Sequence, residues 1–331
     1  MRILLTHTPD AMRNYYGDEA LAALRKLGDV KLHKDNVPLG TAELIEQARG
    51  CDVVISDRQT PGEAAAFEQL PDLVAFLRCA MDIRNIDRAA ADAAGVLVTR
   101  ATAGFMDSVA ELAIGMLVDL ARGVSAAVTA YRNGDAPPIY MGIQLSRSSI
   151  GIIGYGAIGQ RLAELAHALG MTVLVSDPLV QATDPHVKQV ALNHLLHDAK
   201  FVVCLAPANA QTEKLMDARA FAAMQPGSYF INLARGELVD ETALAGALDS
   251  GHLAGAAMDV GRAPDQMPSS VLAKRRDVIA TPHIGGLTPE AVSHQAFDTV
   301  RQVEALGQGR VPEGAVNAEV AKRLIRLGVT V

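Results

Sequence analysis

Two hydrophobic rhythms alternate along this chain. Compact apolar runs the length of a strand buried on both faces are separated by stretches in which apolar side chains return every third or fourth position. The runs at 3–6, 30–33, 52–56, 73–78 and 96–99 read as strands, and 17–27, 41–49 and 87–94 as helices. Such alternation predicts a parallel, doubly wound α/β sheet. A helical pattern over 106–131 follows, with Val109, Leu112, Ala113, Met116, Leu117 and Leu120 on one face, and predicts one long connector between domains. Asn133-Gly134 and Pro137-Pro138 mark a loop. A second series then begins, with strands over 149–153, 172–177, 201–205, 229–233, 254–260 and 278–280, and helices over 193–198, 212–224 and 241–248. A last helix, 289–306, has room to return to the first domain, which 315–331 would complete. No repeat at a solenoid period is present.

The second series opens on its most specific feature. The strand 149–153 runs into Gly154-Tyr155-Gly156-Ala157-Ile158-Gly159, then a helix with Leu162, Leu165, Ala166 and Leu169 on one face that stops at Gly170, then a strand ending in Asp177. This is a βαβ unit with G-x-G-x-x-G in its first turn, the pattern of a dinucleotide site. Gly154 permits the tight turn, Gly156 lets the backbone approach a pyrophosphate, and Gly159 lets helix and strand pack closely. The helix N-terminus offers N–H groups and a positive dipole end to the phosphates. An acid at Asp177 accepts from both hydroxyls of the adenosine ribose and repels a 2′-phosphate. The cofactor is therefore expected to be NAD, with Gly154, Gly156, Ala157, Ile158, Gly159 and Asp177 as its binding residues.

Composition excludes several other classes. Half of the 331 residues are hydrophobic and 20% are charged, enough core for two soluble domains. A net charge of -7, with Lys274-Arg275-Arg276 the densest basic run, argues against a nucleic-acid partner. No apolar run reaches about 18 residues, so no membrane span is expected. The N-terminal segment is too short for a signal-peptide core. Cys51, Cys79 and Cys204 are odd in number and scattered beside apolar runs. They read as reduced thiols of a cytoplasmic protein, without metal-ligand spacing.

In open α/β sheets ligands lie beyond the carboxyl ends of the strands. That rule selects Arg235 after 229–233, Asp259 at the end of 254–260, and His283 after 278–280. Hydride transfer to a carbonyl needs an acid for the new alkoxide and a cation for an acidic substrate. His283 suits the first role and Arg235 the second, while Asp259 can accept from a nicotinamide amide. Plain surface turns are the competing reading for both residues. Strand-end position together with the cofactor motif favours chemistry.

At these residues the chain resembles the D-isomer-specific 2-hydroxyacid dehydrogenase family, over nearly its whole length. The resemblance rests on Ser108-Val109-Ala110-Glu111-Leu112, the Gly154 to Asp177 fingerprint, Asn232-Leu233-Ala234-Arg235-Gly236-Glu237-Leu238-Val239-Asp240, Ala256-Ala257-Met258-Asp259-Val260 and Thr281-Pro282-His283-Ile284-Gly285-Gly286. It implies two doubly wound parallel-sheet, Rossmann-like domains with a cleft between them. One is a discontinuous substrate domain, 1–100 plus 287–331; the other is an NAD-binding domain, 101–286. It implies a homodimer joined through the NAD-binding domains. It also implies interconversion of a small anionic 2-oxoacid and a D-2-hydroxyacid, with Arg235 binding the substrate carboxylate and His283 as acid/base. Pro207 would line the adenine side, and Ala234, Asp259 and Gly285 would belong to the cofactor site.

Two departures from the family pattern stand out. Pro264 occupies the slot where the family usually places a Glu that partners the catalytic histidine, so Asp265, or an acid from the other domain, is the expected substitute. In the substrate loop, whose backbone N–H groups at Ala80, Met81 and Asp82 would hold the carboxylate, Asp82 replaces a glycine. It either caps the following turn or meets a polar substrate group. Arg58, after 52–56, either reads a distal substrate group or sits on a solvated turn. Two alternatives remain at this point: the same scaffold oxidising another small anion, formate- or phosphite-like, or a non-enzymatic NAD-sensing, corepressor-like protein.

Overall fold

A computed structural model describes residues 1–330, apart from the side chain of Asp265. The chain divides into two compact units, Met1–Gly104 with Pro289–Val331, and Phe105–Thr288. Each is built on one parallel sheet.

In the first unit, β1 (Arg2–Leu5), β2 (Asp29–Leu32), β3 (Val53–Ser56), β4 (Ala75–Arg78) and β5 (Leu97–Arg100) lie in the order β2-β1-β3-β4-β5. All pairings are parallel. The two-residue repeat of a strand sorts their side chains. Ile3, Val53, Ala75 and Leu97 share one row of register and one core. Leu4, Val54, Phe76 and Val98 share the next row and the opposite core. Ala296, Val300, Val303 and Leu306 of the helix Pro289–Gly307 complete the first of these cores. Both faces of the inner strands β3 and β4 are covered, which is why they read as apolar runs, while the edge strand β2 alternates between exposed and half-buried positions. Truncating a wholly buried side chain such as Phe76 to Ala would cost about 3–5 kcal/mol.

The second unit has seven strands, β6 (Ser149–Ile153), β7 (Thr172–Ser176), β8 (Val187–Gln189), β9 (Phe201–Cys204), β10 (Ser228–Asn232), β11 (Leu253–Met258) and β12 (Val278–Ala280). Their order is β12-β11-β10-β9-β6-β7-β8. The chain winds outward from β6 through β7, then returns to β9 and winds the other way. The crevice at that reversal is where a doubly wound sheet takes its ligand. The fold class expected from the alternating pattern, α/β with two doubly wound parallel sheets, is the one observed.

Several elements differ from expectation. The pattern over 106–131 is two helices, Met106–Arg122 and Val124–Arg132, meeting at 68°. Gly123 sits between them in the left-handed region, at φ +65, and ends the first. The helix expected over 212–224 is only Ala218–Ala223, because the Asp217 side chain accepts from the N–H groups of Arg219 and Ala220 and starts it there. Three short helices and one strand are not expected from the pattern: Pro9–Tyr15, Ala64–Gln69, Ser270–Ala273 and β8. Thr8 caps the first through Ala11 N–H, with Pro9 at the position where its missing N–H costs nothing.

Candidate active site

The turn after β6 is shaped by its glycines. Gly154 has φ +96, and a Cβ there would stand 2.7 Å from the Ala206 nitrogen beyond β9. A Cβ on Gly159 would stand 2.2 Å from the Gly154 carbonyl oxygen, so helix and turn can close only on glycine. Gly156 is different: a Cβ there meets nothing within 4 Å. It caps the helix Ala157–Ala168 with no side-chain hydrogen bond, so the N–H groups of Ala157, Ile158 and Gly159 open the helix toward that space. A pyrophosphate fits this arrangement of open backbone and helix dipole.

Asp177 lies one residue beyond β7. Its Oδ2 accepts from Tyr155 N–H at 2.7 Å, and its Oδ1 from Leu179 and Val180 N–H at 2.8 and 2.9 Å. Burial works against its ionisation, but these three donors outweigh it and hold its pKa below the ordinary carboxylate value. A carboxylate offers about four lone-pair directions, so capacity is left for a ribose hydroxyl. Pro207, beyond β9, is exposed, and its carbonyl accepts from Thr212 Oγ1 at 2.7 Å.

The ends of the adjacent strands β10, β11 and β12 carry the other candidates. The register pairs Asn232 with Met258 and Met258 with Ala280. Arg235, Asp259 and His283 therefore leave the same edge of the sheet, from three neighbouring strands. The wholly buried Asn232 shapes the first loop, accepting from Ala234 N–H at 3.1 Å and donating to the Arg235 carbonyl at 2.9 Å. The Arg235 guanidinium is half-buried and spends one of its donors on the Ala234 carbonyl at 2.7 Å. A Cβ on Gly236 would stand 2.2 Å from Gly261, so the loops after β10 and β11 are in backbone contact.

Asp259 organises the third loop. Its Oδ1 accepts from Thr281 Oγ1 at 2.6 Å and Ile284 N–H at 2.9 Å, and its Oδ2 from Gly285 N–H at 2.8 Å. Its backbone carbonyl takes His283 N–H at 3.0 Å. His283 has φ +57, a conformation that non-glycine residues rarely hold without external support. The Asp259 carboxylate thus spends most of its capacity on this loop. Thr281 and Asn232 were present in the sequence motifs, but nothing in the pattern announced their tasks.

The segment bearing Pro264 makes a single turn, Pro264–Gln266, with Gln266 at φ +61. Gly261 N–H donates to the Gln266 carbonyl at 2.8 Å, and Ala263 N–H to that of Met267 at 3.0 Å. Arg262 braces the loop, donating to Glu213 Oε1 at 2.6 Å and to the Glu237 carbonyl at 2.9 Å. The Asp265 side chain, the expected partner of His283, lies outside the described residues.

On the first unit, Ala80 is buried while Met81 and Asp82 are half-buried. Asp82 Oδ1 accepts from Arg84 N–H at 3.0 Å, and Oδ2 meets Arg84 Nη2 at 2.7 Å. The aspartate closes its own turn and carries a cation with it. Arg58 is exposed just beyond β3. Among the described residues no group of three or more His, Cys, Asp or Glu is placed to hold a metal ion. Burial raises the Cys79 and Cys204 thiols to about 12, which removes them as nucleophiles.

Known proteins resemble this chain in sequence and in fold. Residues 114–285 match the family model described as D-isomer specific 2-hydroxyacid dehydrogenase, NAD binding domain. The (S)-sulfolactate dehydrogenase of Chromohalobacter salexigens is 36% identical over 272 residues, 80% of this chain and 88% of that protein. The glyoxylate reductase of Korarchaeum cryptofilum is 28% identical over 92% of this chain and 94% of its own. Among solved structures, the TT0316 protein from Thermus thermophilus superposes with a TM-score of 0.85 at 29% identity, covering 96% of this chain and all of that one.

Proposed function

The chain belongs to the D-isomer specific 2-hydroxyacid dehydrogenase family, an NAD-dependent dehydrogenase on that ground, and we propose that it interconverts a small 2-oxoacid and its D-2-hydroxyacid with His283 as acid/base and Arg235 as the carboxylate-binding cation. The observation that carries this reading is the convergence of Arg235 and His283 on one edge of one sheet, from strand ends flanking Asp259.

Gly154, Gly156, Ala157, Ile158, Gly159 and Asp177 would hold the nicotinamide cofactor, which when bound would supply or accept the hydride. Arg235 binds the carboxylate through its planar fork and draws density from the adjacent carbonyl. His283, as general acid, gives a proton to the oxygen as it becomes an alkoxide, and as general base takes one back in the oxidation direction. Asp259 keeps the imidazole aimed by holding the peptide units on either side of it. On the first unit, the backbone N–H groups of Ala80, Met81 and Asp82 bind the substrate carboxylate, and Arg58 takes a second anionic group. The (S)-sulfolactate dehydrogenase that resembles this chain is named for a substrate with such a group. A 2-hydroxyacid carrying a distal anion is therefore the favoured substrate class. The protein works as a homodimer through its NAD-binding unit, where Ile139 and Met141 stand in solvent.

The test is NADH oxidation by the purified protein with 3-sulfopyruvate, glyoxylate and pyruvate, and NAD reduction with the matching hydroxyacids, formate and phosphite. Turnover of a 2-oxoacid, lost about 10²-fold or more in His283→Ala with NADH affinity retained, supports the reading. Turnover only of formate or phosphite, or an unaffected His283→Ala, overturns it.

A further inference from the structure

In the first sheet the chain reverses between β1 and β3, the position where a doubly wound sheet usually leaves a ligand crevice. Here the protein's own polar side chains fill it. Asp57, beyond β3, accepts from Thr6 Oγ1 at 3.2 Å and Thr60 N–H at 3.0 Å. Arg78, at the end of β4, is wholly buried. Its guanidinium donates to the Asp57 carbonyl, to the Thr60 carbonyl at 3.0 Å and to Asn85 Oδ1 at 2.7 Å. Any substrate contact on this unit is displaced outward, onto the loops 57–62 and 79–87.

Those two loops are fastened to each other, and Asn85 uses both ends of its side chain to do it. Its Oδ1 accepts from the buried Arg78, while its Nδ2 donates to the Arg58 carbonyl at 3.1 Å. Its backbone carbonyl takes Gly62 N–H at 3.0 Å, and the Gly62 carbonyl takes Asp87 N–H at 2.7 Å. The residue is exposed, so its conservative replacement does not open the core. The peptide of Arg58 is thereby tied to the loop that presents Ala80, Met81 and Asp82.

We propose that Asn85 is a positioning residue that fixes the spacing between the backbone N–H groups of Ala80 to Asp82 and the Arg58 side chain, and so selects substrates by the distance between carboxylate and distal anion. This rests on the substrate contacts assigned above. A substrate that meets both the 80–82 loop and Arg58 senses a shift of about 1 Å between them, whereas one without a distal anion makes no contact with Arg58 to lose.

The experiment compares Asn85→Asp, which keeps the acceptor for Arg78 but has no N–H for Arg58, with Asn85→Leu, which has neither. For both, kcat/KM with 3-sulfopyruvate, or with whichever distal-anion 2-oxoacid the parent turns over best, should fall about tenfold or more, carried by KM, while glyoxylate stays within about threefold. NADH affinity by fluorescence should not change. Hydrogen exchange in Asn85→Leu should rise together in peptides covering 57–62 and 79–87. Equal losses on both substrates indicate a merely structural role and overturn the proposal, as does exchange that rises in 79–87 alone. A parent that turns over no 2-oxoacid overturns the functional reading instead, and the exchange result then decides the fastening of the loops by itself.

Discussion

The backbone carbonyl of Asp259 takes the N–H of His283 at 3.0 Å while the Asp259 carboxylate takes the N–H of Ile284 and Gly285, so one residue restrains the chain on both sides of a left-handed histidine. An uncharged amide cannot reproduce this pattern. In Asp259→Asn one carboxylate oxygen becomes an NH2 facing either Gly285 N–H or the Thr281 and Ile284 donors. The expected result is a fall in kcat of about 10- to 100-fold, with NADH affinity within about threefold of the parent. Steady-state kinetics beside a fluorescence titration checks it; full kcat in Asp259→Asn would refute the positioning role.

Gly156 and Gly159 separate binding from folding. Alanine at 156 enters open space at φ -72, so the fold tolerates it while its methyl group intrudes where a pyrophosphate would approach. Alanine at 159 puts a methyl group 2.2 Å from the Gly154 carbonyl oxygen and forces helix and turn apart. Gly156→Ala should keep the parent melting temperature and lose NADH affinity about tenfold or more. Gly159→Ala should lose stability by about 1–3 kcal/mol as well. Thermal melts paired with NADH titrations distinguish the two; equal melting losses would contradict the geometry.

The glycine turn was legible because it imposes backbone demands that only one residue type meets. The inner strands were legible because burial on both faces leaves them few polar positions; the edge strand β8, Val-Lys-Gln and at most half-buried, was not. The break at Gly123 was not, since Val124, Val128 and Tyr131 continue the helical spacing of 106–120 across it. Periodicity reports an apolar face without saying what covers it. Asp259 was placed at its strand end correctly, but the direction of its carboxylate depends on N–H groups that arrive from β12. Arg78 and His7 are illegible for a related reason: a buried polar residue and a solvated one look alike in sequence until their partners are known, and the exposed Asn85 gains its meaning only from the loops it joins.

His7, just beyond β1, is 1% exposed and meets Tyr16 edge-on, with ring centroids 5.1 Å apart. Burial pushes its pKa well below the ordinary 6.5; Asp57 pulls it up and Arg78 pushes it down. The unfolded chain therefore binds a proton near pH 6.5 that the folded chain refuses. The stability this contributes is complete above pH 6.5 and is lost as the pH falls below it, by up to about 1.4 kcal/mol per pH unit. His7→Phe keeps a ring against Tyr16 and removes the titration. Urea midpoints of parent and variant, followed from neutral pH down to about pH 5, should diverge, with the variant losing less. Parallel curves would show that His7 is protonated in the folded protein.

The helix Val124–Arg132 buries none of its residues, yet Val124, Val128 and Tyr131 line one of its faces. Beyond it the chain is held to its own unit, by the Tyr140 hydroxyl at 3.0 Å from that of Tyr229 and by Ile143 N–H on the Ala121 carbonyl at 2.9 Å. Between and beside these anchors Ile139 and Met141 are 101% and 90% exposed. An anchored segment that holds large apolar side chains in water is the pattern of an interface, and a second copy of the chain supplies a self-complementary surface for it. The double variant Ile139→Asp, Met141→Asp puts like charges at the same place on both copies. Light scattering should give a dimer for the parent and a monomer for the variant at micromolar concentration, with NADH binding kept because the glycine turn is untouched. A variant that stays dimeric would move the interface elsewhere, and a monomeric parent would remove it.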